Sequence, residues 1–431
     1  MPPVFIFRQQ IVSTAYTQVT MSDMQNPPQI SRSARIDALR GIAVFGILLV
    51  NVWSFIWGFE SLRYGVLPAT SSIFDVLAVA FTAFFAEQKF YPIFAFLFGA
   101  GFVLVTRSLK QQFGRWSDAE RLYRRRLKWL LGCGVVHGTA IWFGDILTVY
   151  AIAGFFVLAG LTGARLRSVR NALRVWSIIF FALLLGNFLL GLQMVSPSAL
   201  QEQAINTVAA VEAGRVVYTK GNLLSIGIQR LGDYASVTTQ SLFILPHIAL
   251  LFLLGAMSVR LGWLTQPARH ITFWRRVQWT GFALGIPFNL AWATMVVAEA
   301  IDPLHPSLYS FLLYAWLPVG GTCLAAAYVA TILLAKETAG QWLDNWLAPV
   351  GKMALTHYLM QSLLCSILLQ GFGFGLGAIW PPAAWLALAF AIMLLQLFSS
   401  RWWLARHAQG PVETLWRRYI NKGITDADKR D

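Results

Sequence analysis

Residues 136–150 read VHGTAIWFGDILTVY and place one histidine, His137, and one carboxylate, Asp145, in sequence that is otherwise apolar or small. Gly144 and Asp145 separate two apolar runs, which predicts a turn that brings Asp145 back towards the level of His137. Ionisable side chains are costly in hydrocarbon, so the pair is a candidate functional site. A purely structural buried pair, or Asp145 as the N-cap of the second helix, is the alternative interpretation.

The rest of the sequence has the composition of an integral membrane protein. Of its 431 residues, 57% are hydrophobic and only 12% are charged, which is about half the charged fraction of a soluble protein. Apolar runs of membrane length recur from residue 41 to residue 400. This pattern predicts an all-α fold, a polytopic transmembrane helix bundle of about ten crossings with an outer interfacial helix.

The distribution of positive charge predicts the topology. The formal net charge of +15 is concentrated between the apolar runs, and segment 107–128 is strongly basic. Under the positive-inside rule this segment and both termini are cytoplasmic, whereas the long polar segment 196–240 is extracytoplasmic. Residues 74–86 are short for a full span, so we expect them to form the interfacial helix.

Three regions follow from this topology. Residues 1–34 are polar and rich in Ser, Gln and Pro, which predicts a disordered cytoplasmic N-terminus. Residues 35–405 form the predicted transmembrane domain, with a basic cytoplasmic loop at 107–128 and an extracytoplasmic loop at 196–240. Residues 406–431 form a cytoplasmic tail. Because the positive charge follows the membrane topology, we expect membrane lipid and no nucleic acid as a partner.

Other polar residues mark both faces of the predicted membrane domain. Arg40 follows Asp37 by three residues, so it either anchors the first crossing through a local ion pair or holds a phosphate or carboxylate. Asn51 lies farther along the same helix, and Glu87 and Lys89 lie at the outer boundary of the second crossing. These three are candidate substrate-binding residues, with helix–helix contacts or interfacial anchoring as the alternative.

Several familiar catalytic signatures are missing from the sequence. It contains no Walker loop, dinucleotide fingerprint, HExxH or GxSxG motif. No set of His and carboxylates has clear metal-ligand spacing, so we expect neither a metal nor a bound cofactor. His357 and Gln361 share a helix face, and helix–helix hydrogen bonding is the favoured interpretation of that pair.

A set of short segments carries a resemblance to a known family. The segments are 35–43 (RIDALRGIA) with Asn51, Lys89 with 97–102 (LFGAGF), His137 with 144–147 (GDIL), 351–356 (GKMALT), and Gly410-Pro411 with Glu413. Taken in this order, they resemble the YeiB-like bacterial membrane family, known as domain of unknown function 418, from about Arg35 to Arg418. His357 stands where that family usually has Asn, which argues against an essential histidine there.

The family is similar to membrane-embedded acyltransferases. The resemblance implies an enzyme of the bacterial inner (plasma) membrane that takes an acyl group from a cytoplasmic donor such as acetyl-CoA. The acceptor would be a hydroxyl or amine of an extracytoplasmic small molecule or glycan. One branch of these enzymes carries a histidine near the outer end of the first crossing, where this chain departs from the pattern with Asn51.

The leading hypothesis assigns roles to particular residues. His137 is the general base, Asp145 orients it, and Asn51 or Lys89 holds the reacting oxygen. The phosphates of the donor are attracted by a set of cytoplasmic arginines, namely Arg40, Arg124, Arg125 and Arg126.

Two other functions stay open. A transporter of a small or lipid-like substrate would use Glu87, Lys89, His137 and Asp145 as a substrate or proton path. A scaffold without chemistry would need the same residues only for stability. Segment 107–128 is alternatively a plain membrane-surface helix, and a homo-oligomer is compatible with the sequence.

Overall fold

The computed structural model describes residues 34–59, 64–67, 70–194 and 196–425. Throughout these ranges every regular element is a helix and none is a strand, which confirms the all-α prediction. The predicted N-terminal region 1–34 lies almost entirely outside the described residues, as does the end of the C-terminal tail. The α-helices in chain order are α1 Ala34–Trp57, α2 Ile73–Phe81, α3 Phe90–Phe113, α4 Trp116–Val136, α5 Leu147–Ala153, α6 Leu166–Met194, α7 Pro197–Lys220, α8 Leu223–Arg260, α9 Ile271–Ile301, α10 Leu308–Leu333, α11 Glu337–Lys352, α12 Ala354–Leu369, α13 Leu376–Ile379, α14 Pro382–Leu404 and α15 Pro411–Thr425.

Helices long and apolar enough to cross a membrane recur along the chain. Two shorter apolar helical segments, Leu147–Leu161 and Ala354–Leu369, accompany them. The multi-pass, membrane-type architecture therefore agrees with the sequence, while the count of about ten crossings stays a prediction. Within the described ranges the seven candidates by length and composition are Ala34–Trp57, Ile73–Phe113, Leu166–Leu192, Leu223–Arg260, Pro267–Ile301, Leu312–Leu333 and Pro382–Leu404.

The outward faces of several helices are apolar. Only 11% of the most apolar window of α6 is buried within the protein. Trp279 of α9 and Phe398 of α14 are 71% and 61% exposed. Contiguous exposed apolar surface of this kind is expected where lipid tails, and not water, surround a helix.

Helix α1 is the centre of the bundle. In its most apolar window 78% of the residues are buried, and it packs against α3, α11, α12 and α14. The crossing with α11 is made by backbone against backbone, because a Cβ atom placed on Gly351 would lie 1.7 Å from the Asp37 carbonyl oxygen. The crossing of α3 with α8 is equally close, with Gly99 against Phe252 and Gly255 against Phe96. Small residues at such crossings let membrane helices approach.

Both segments predicted as loops are largely helical. In segment 107–128, α3 continues to Phe113, Gly114 turns the chain with a φ of 81°, and α4 starts at Trp116. Segment 196–240 consists of α7 and the first half of α8. High polarity suggested loops, but an amphipathic helix can carry such polarity on the face turned away from the bundle, where the side chains of Arg124 and Glu212 are exposed. The membrane side of each segment stays a prediction.

The predicted interfacial helix is split into two parts. Helix α2 begins with a capping box in which Ser72 and Asp75 bond to each other's backbone N–H groups, and a π-helix follows at Thr82–Ala86. The buried Asp75 carboxylate also accepts a hydrogen bond of 2.9 Å from the backbone N–H of Ala383 at the start of α14. One side chain thus caps two helices. Whether this region lies at the membrane interface stays a prediction.

We expect the contact of Gly351 with Asp37 to be intolerant of any side chain. Gly351→Ala would push α11 away from α1 and lower the stability by about 1–3 kcal/mol. Gly227→Ala in α8 is the matched control, since a Cβ atom there meets nothing within 4 Å. Thermal unfolding of the purified variants in detergent measures both effects, and equal midpoints for the two variants would contradict the packing account.

Candidate functional site

The predicted turn brings His137 and Asp145 into direct contact. The Nδ1 atom of His137 lies 2.9 Å from Oδ1 of Asp145, and both side chains are fully buried. Helix α4 ends at Val136 and a five-residue π-helix, His137–Ile141, carries the chain to the turn. We call this π-helix with the following Trp142 the π-turn. In other proteins, short π-helical segments often occur at functional sites.

Asp145 is held by the start of α5 as well as by the histidine. Its Oδ2 atom accepts a 2.7 Å hydrogen bond from the backbone N–H of Thr148, in the first turn of that helix. Gly134 of α4 packs on the same group, because a Cβ atom there would lie 2.6 Å from Oδ2. The helix-capping interpretation and the His–Asp pair are therefore both realised, one by each oxygen of the carboxylate.

The second nitrogen of His137 is chemically distinct from the first. An ionised carboxylate only accepts hydrogen bonds, so its contact with Nδ1 favours the tautomer with hydrogen on Nδ1 and a lone pair on Nε2. That Nε2 atom is buried and has no hydrogen-bond partner among the described residues. The ring lies beside Tyr358, with centroids 4.9 Å apart, and near Trp142 at 6.1 Å. The arrangement provides an oriented base with one unused lone pair.

Neighbouring helices fix the π-turn through its carbonyl groups. Arg230 of α8 donates a 2.6 Å hydrogen bond to the Ala140 carbonyl, and Ser366 of α12 donates one of 3.0 Å to the Ile141 carbonyl. Gly138 leaves room for the ring of Tyr234, whose hydroxyl lies 3.0 Å from the Thr148 hydroxyl. Helices α8 and α12 therefore hold the segment that carries His137.

Glu87 and Lys89 form a second buried polar group. Glu87 Oε2 accepts hydrogen bonds from the Tyr64 hydroxyl at 3.0 Å and from the Trp292 indole at 2.8 Å. The Lys89 ammonium donates a 2.7 Å bond to the Ala83 carbonyl in the π-helix after α2, and its side chain is fully buried. Between them, Gln88 has a φ of 61°, a strained conformation for a residue other than glycine.

The two polar groups border one apolar cluster. Phe90, which follows Lys89, packs against a cluster that includes Leu147 and Tyr358, close to His137. Asn51 is half-buried in α1, one helical turn beyond Ile47 of the same cluster. The predicted role of Asn51 in substrate binding stays a prediction.

The arginines predicted to bind the donor already have protein contacts. Arg40 pairs with Asp37 at 2.8 Å, and Arg124 pairs with Glu120 at 2.7 Å. The guanidinium groups of the other two lie over aromatic rings of α15, with Arg125 4.4 Å from the Tyr419 ring centroid and Arg126 4.2 Å from that of Trp416. Such cation–π contacts hold α15 against α4. Donor binding by these residues stays a prediction.

The polar contacts around α12 are interhelical hydrogen bonds. His357 Nε2 lies 2.6 Å from the Ser400 hydroxyl of α14, and the Gln361 amide donates a 2.7 Å bond to Gln396. Glu413 of α15 accepts hydrogen bonds at 2.9 and 3.2 Å from the backbone N–H groups of Leu355 and Thr356 at the start of α12. The favoured structural interpretation of His357 and Gln361 is confirmed.

Sequence reasoning missed two residues that bear on the site. It gave Arg230 no role, although this side chain bonds to the π-turn, and it left Tyr358 outside the predicted site. An arginine in the interior of an otherwise weakly charged helix was the available signal for the first. In the part of the chain that the structure describes, no three His, Cys, Asp or Glu side chains lie close enough together to hold a metal ion.

Comparison with known proteins gives matches of uncharacterised function. Residues 258–423 match the family model "Protein of unknown function (DUF418)". The chain is 30% identical to "Uncharacterized protein YxaH" of Bacillus subtilis (strain 168), over 92% of this chain and 96% of that protein. It is 28% identical to "Uncharacterized protein YeiB" of Escherichia coli (strain K12), over 90% of this chain and 96% of that protein. A 27% match covers 90% of this chain and 93% of the "Uncharacterized 39.9 kDa protein in amylase 3'region" of Bacillus acidopullulyticus.

We expect Glu413 to stabilise the start of α12. Glu413→Ala removes the acceptor for two backbone N–H groups and should lower the stability by about 0.5–2 kcal/mol. Glu212→Ala is the control, because Glu212 lies on α7 in an exposed pair with Arg215 and such pairs contribute little. Thermal unfolding midpoints compare the two variants. A loss for Glu212→Ala as large as that for Glu413→Ala would contradict the capping role.

Proposed function

This chain belongs to the DUF418 family of membrane-type helical proteins, and from its own site geometry we propose that it is a membrane-embedded acyltransferase. The observation that carries the proposal is the His137–Asp145 pair. Its Nδ1 contact of 2.9 Å orients the imidazole, while the buried Nε2 atom has no partner among the described residues. A positioned general base of this kind accelerates the attack of a hydroxyl or amine on an acyl group.

The proposed reaction uses His137 twice. As the acceptor oxygen or nitrogen attacks the thioester carbonyl carbon of the donor, Nε2 takes its proton and a C–O or C–N bond forms. The C–S bond then breaks, and the imidazolium gives the proton to the departing thiolate. Asp145 stabilises the imidazolium between the two steps without being protonated itself.

Burial of the base favours transfer over hydrolysis. His137 is only 1% exposed, and Tyr358 and Trp142 lie against its ring. A site that excludes water strengthens its hydrogen bonds and protects a reactive acyl group from hydrolysis. A membrane-embedded position is compatible with an acceptor that approaches from the extracytoplasmic side.

Lys89 is the better candidate for holding the reacting oxygen. Among the described residues, its buried ammonium donates one hydrogen bond, to the Ala83 carbonyl, out of the three that it can donate. It adjoins Phe90, which packs in the apolar cluster next to His137. A positive charge near the developing oxyanion would lower the barrier. Asn51 is the alternative donor, through its side-chain amide.

Positive charge supports the proposed use of a cytoplasmic acetyl-CoA donor. Arg40 and the arginines of α4 supply guanidinium groups of the kind that bind phosphate. Arg124 is 45% exposed, so its side chain is available to a soluble ligand. In this proposal the protein lies in the bacterial inner membrane, and the acceptor is an extracytoplasmic small molecule or glycan.

A transporter of a small or lipid-like substrate is the second candidate. The observation that favours it is the full burial of Lys89 and the near-complete burial of Glu87 in an apolar helical segment, since such residues often lie on a substrate or proton path. Uptake into proteoliposomes that depends on a proton gradient and yields no acylated product would favour this candidate over acyl transfer.

We predict that His137→Ala abolishes acyl transfer, because the general base is lost. Asp145→Asn should reduce acyl transfer by roughly 10²-fold or more, because the imidazole is then misoriented. The assay follows labelled acetyl groups from acetyl-CoA in proteoliposomes. His357→Asn is the matched control, since His357 is also buried but bonds to Ser400, and it should keep its activity. Unchanged transfer in a folded His137→Ala protein would remove the proposed base.

We predict a binding defect when the exposed charge of α4 is reduced. Arg124→Gln should raise the KM for acetyl-CoA severalfold and leave kcat unchanged, because the lost interaction acts equally on substrate and transition state. Arg121→Gln is the control, as Arg121 is a more exposed residue of the same helix paired with Asp118. An identical KM for the wild type and Arg124→Gln would exclude Arg124 from the donor site.

A further inference from the structure

Three buried polar atoms without hydrogen-bond partners belong to the π-turn or to the side chain that holds it. They are Nε2 of His137, Nε1 of Trp142 and Nε of Arg230, each judged against the described residues. Buried polar atoms are nearly always hydrogen-bonded, so each exception needs an explanation. Three such atoms around one short segment point to a ligand that supplies the missing partners.

Arg230 is the charged member of this group. Its side chain is 3% exposed, and among the described residues its hydrogen bonds go to neutral acceptors, the Ala140 carbonyl at 2.6 Å and Gln370 Oε1 at 3.2 Å. The nearby carboxylate on the same helix, Asp233, instead accepts hydrogen bonds from Tyr218 at 2.6 Å and Gln229 at 2.8 Å. Within the described residues no ion pair joins Arg230 to a carboxylate.

A buried guanidinium without an anionic partner is energetically costly. Buried charges in proteins are normally paired, because removal from water costs several kcal/mol per ion. The guanidinium fork matches the oxygen spacing of phosphate and carboxylate groups. An anionic ligand would accept a hydrogen bond from Nε, and by displacing the neutral Gln370 oxygen it would also accept one from Nη2, the second donor on the same edge of the guanidinium.

From these observations we infer that Arg230 binds an anionic group, a phosphate or carboxylate, of the molecule that reacts at His137. This deepens the proposed function and rests on it, because it specifies the acceptor as an anionic hydroxyl or amine compound. Arg230 reaches Ala140, which lies in the same π-helix as His137. The anion would thus be fixed within one helical turn of the base, which is the positioning that transfer requires.

The test measures anion binding without acyl transfer. The full-length protein in detergent is unfolded thermally at increasing inorganic phosphate, with chloride keeping the ionic strength constant. A ligand that binds only the folded state raises the midpoint in a saturable way. We expect this response in the wild type. In Arg230→Gln the phosphate affinity should fall at least about tenfold, equivalent to about 1.4 kcal/mol.

Two further variants separate ligand binding from folding. Gln370→Glu keeps the size of the side chain and places a carboxylate against Arg230. It should preserve the fold and abolish the phosphate-dependent rise of the midpoint, because the new carboxylate occupies the guanidinium in place of phosphate. Arg215→Gln alters an exposed arginine of α7 paired with Glu212 and should respond like the wild type. If Arg230 only supports the π-turn, Arg230→Gln lowers the midpoint without phosphate but keeps the phosphate-dependent rise, which overturns the inference.

The source of the anion is resolved by a second arm. The protein is unfolded thermally in phosphatidylcholine nanodiscs with and without phosphatidic acid, whose headgroup is a phosphate. A rise of the unfolding midpoint that depends on Arg230 and occurs only with phosphatidic acid supports a lipid-borne phosphate. A saturable response in neither arm overturns the inference. If the wild-type protein showed no acyl transfer while phosphate still acted through Arg230, the proposed function would fall and the anion site would stand.

Discussion

The hydrogen bond between His137 and Asp145 is the contact around which the centre of this protein is organised. It joins the end of α4 to the start of α5 across the π-turn, and it buries an imidazole and a carboxylate together. Neither group could stay there alone, since a buried polar group without a partner is costly. Gly134 provides the space for the carboxylate, and the first turn of α5 provides its second donor.

The surrounding helices hold this contact by bonding to backbone groups and not to the histidine itself. Arg230 and Ser366 take up carbonyls that the π-turn leaves free, so the segment is fixed while Nε2 of His137 stays unoccupied. A purely structural histidine would gain stability by using both ring nitrogens, as His247 does with Tyr91 and Thr322. The contrast between these two buried histidines favours a chemical role for the first.

The sequence was sufficient for the helical class, the family and the His137–Asp145 contact. A glycine–aspartate turn eight residues after a histidine, between apolar runs, leaves few other ways to pair the two groups. It was insufficient for Arg230, because its partners lie 90 and 140 residues away along the chain. The π-helix His137–Ile141 escaped prediction because its carbonyl groups accept hydrogen bonds from donors on other helices. Arg125 and Arg126 were read as free charge, whereas the helix that covers them was predicted only as a tail.

The most direct measurement for the central claim is a cryo-EM structure of the protein with bound acetyl-CoA. The account predicts density for the donor that runs from the basic residues of α4 to the His137–Asp145 pair, with the thioester carbonyl next to Nε2. Donor density that ends elsewhere, with the imidazole sealed off from it by the intervening helices, would contradict the assignment of His137 as the base.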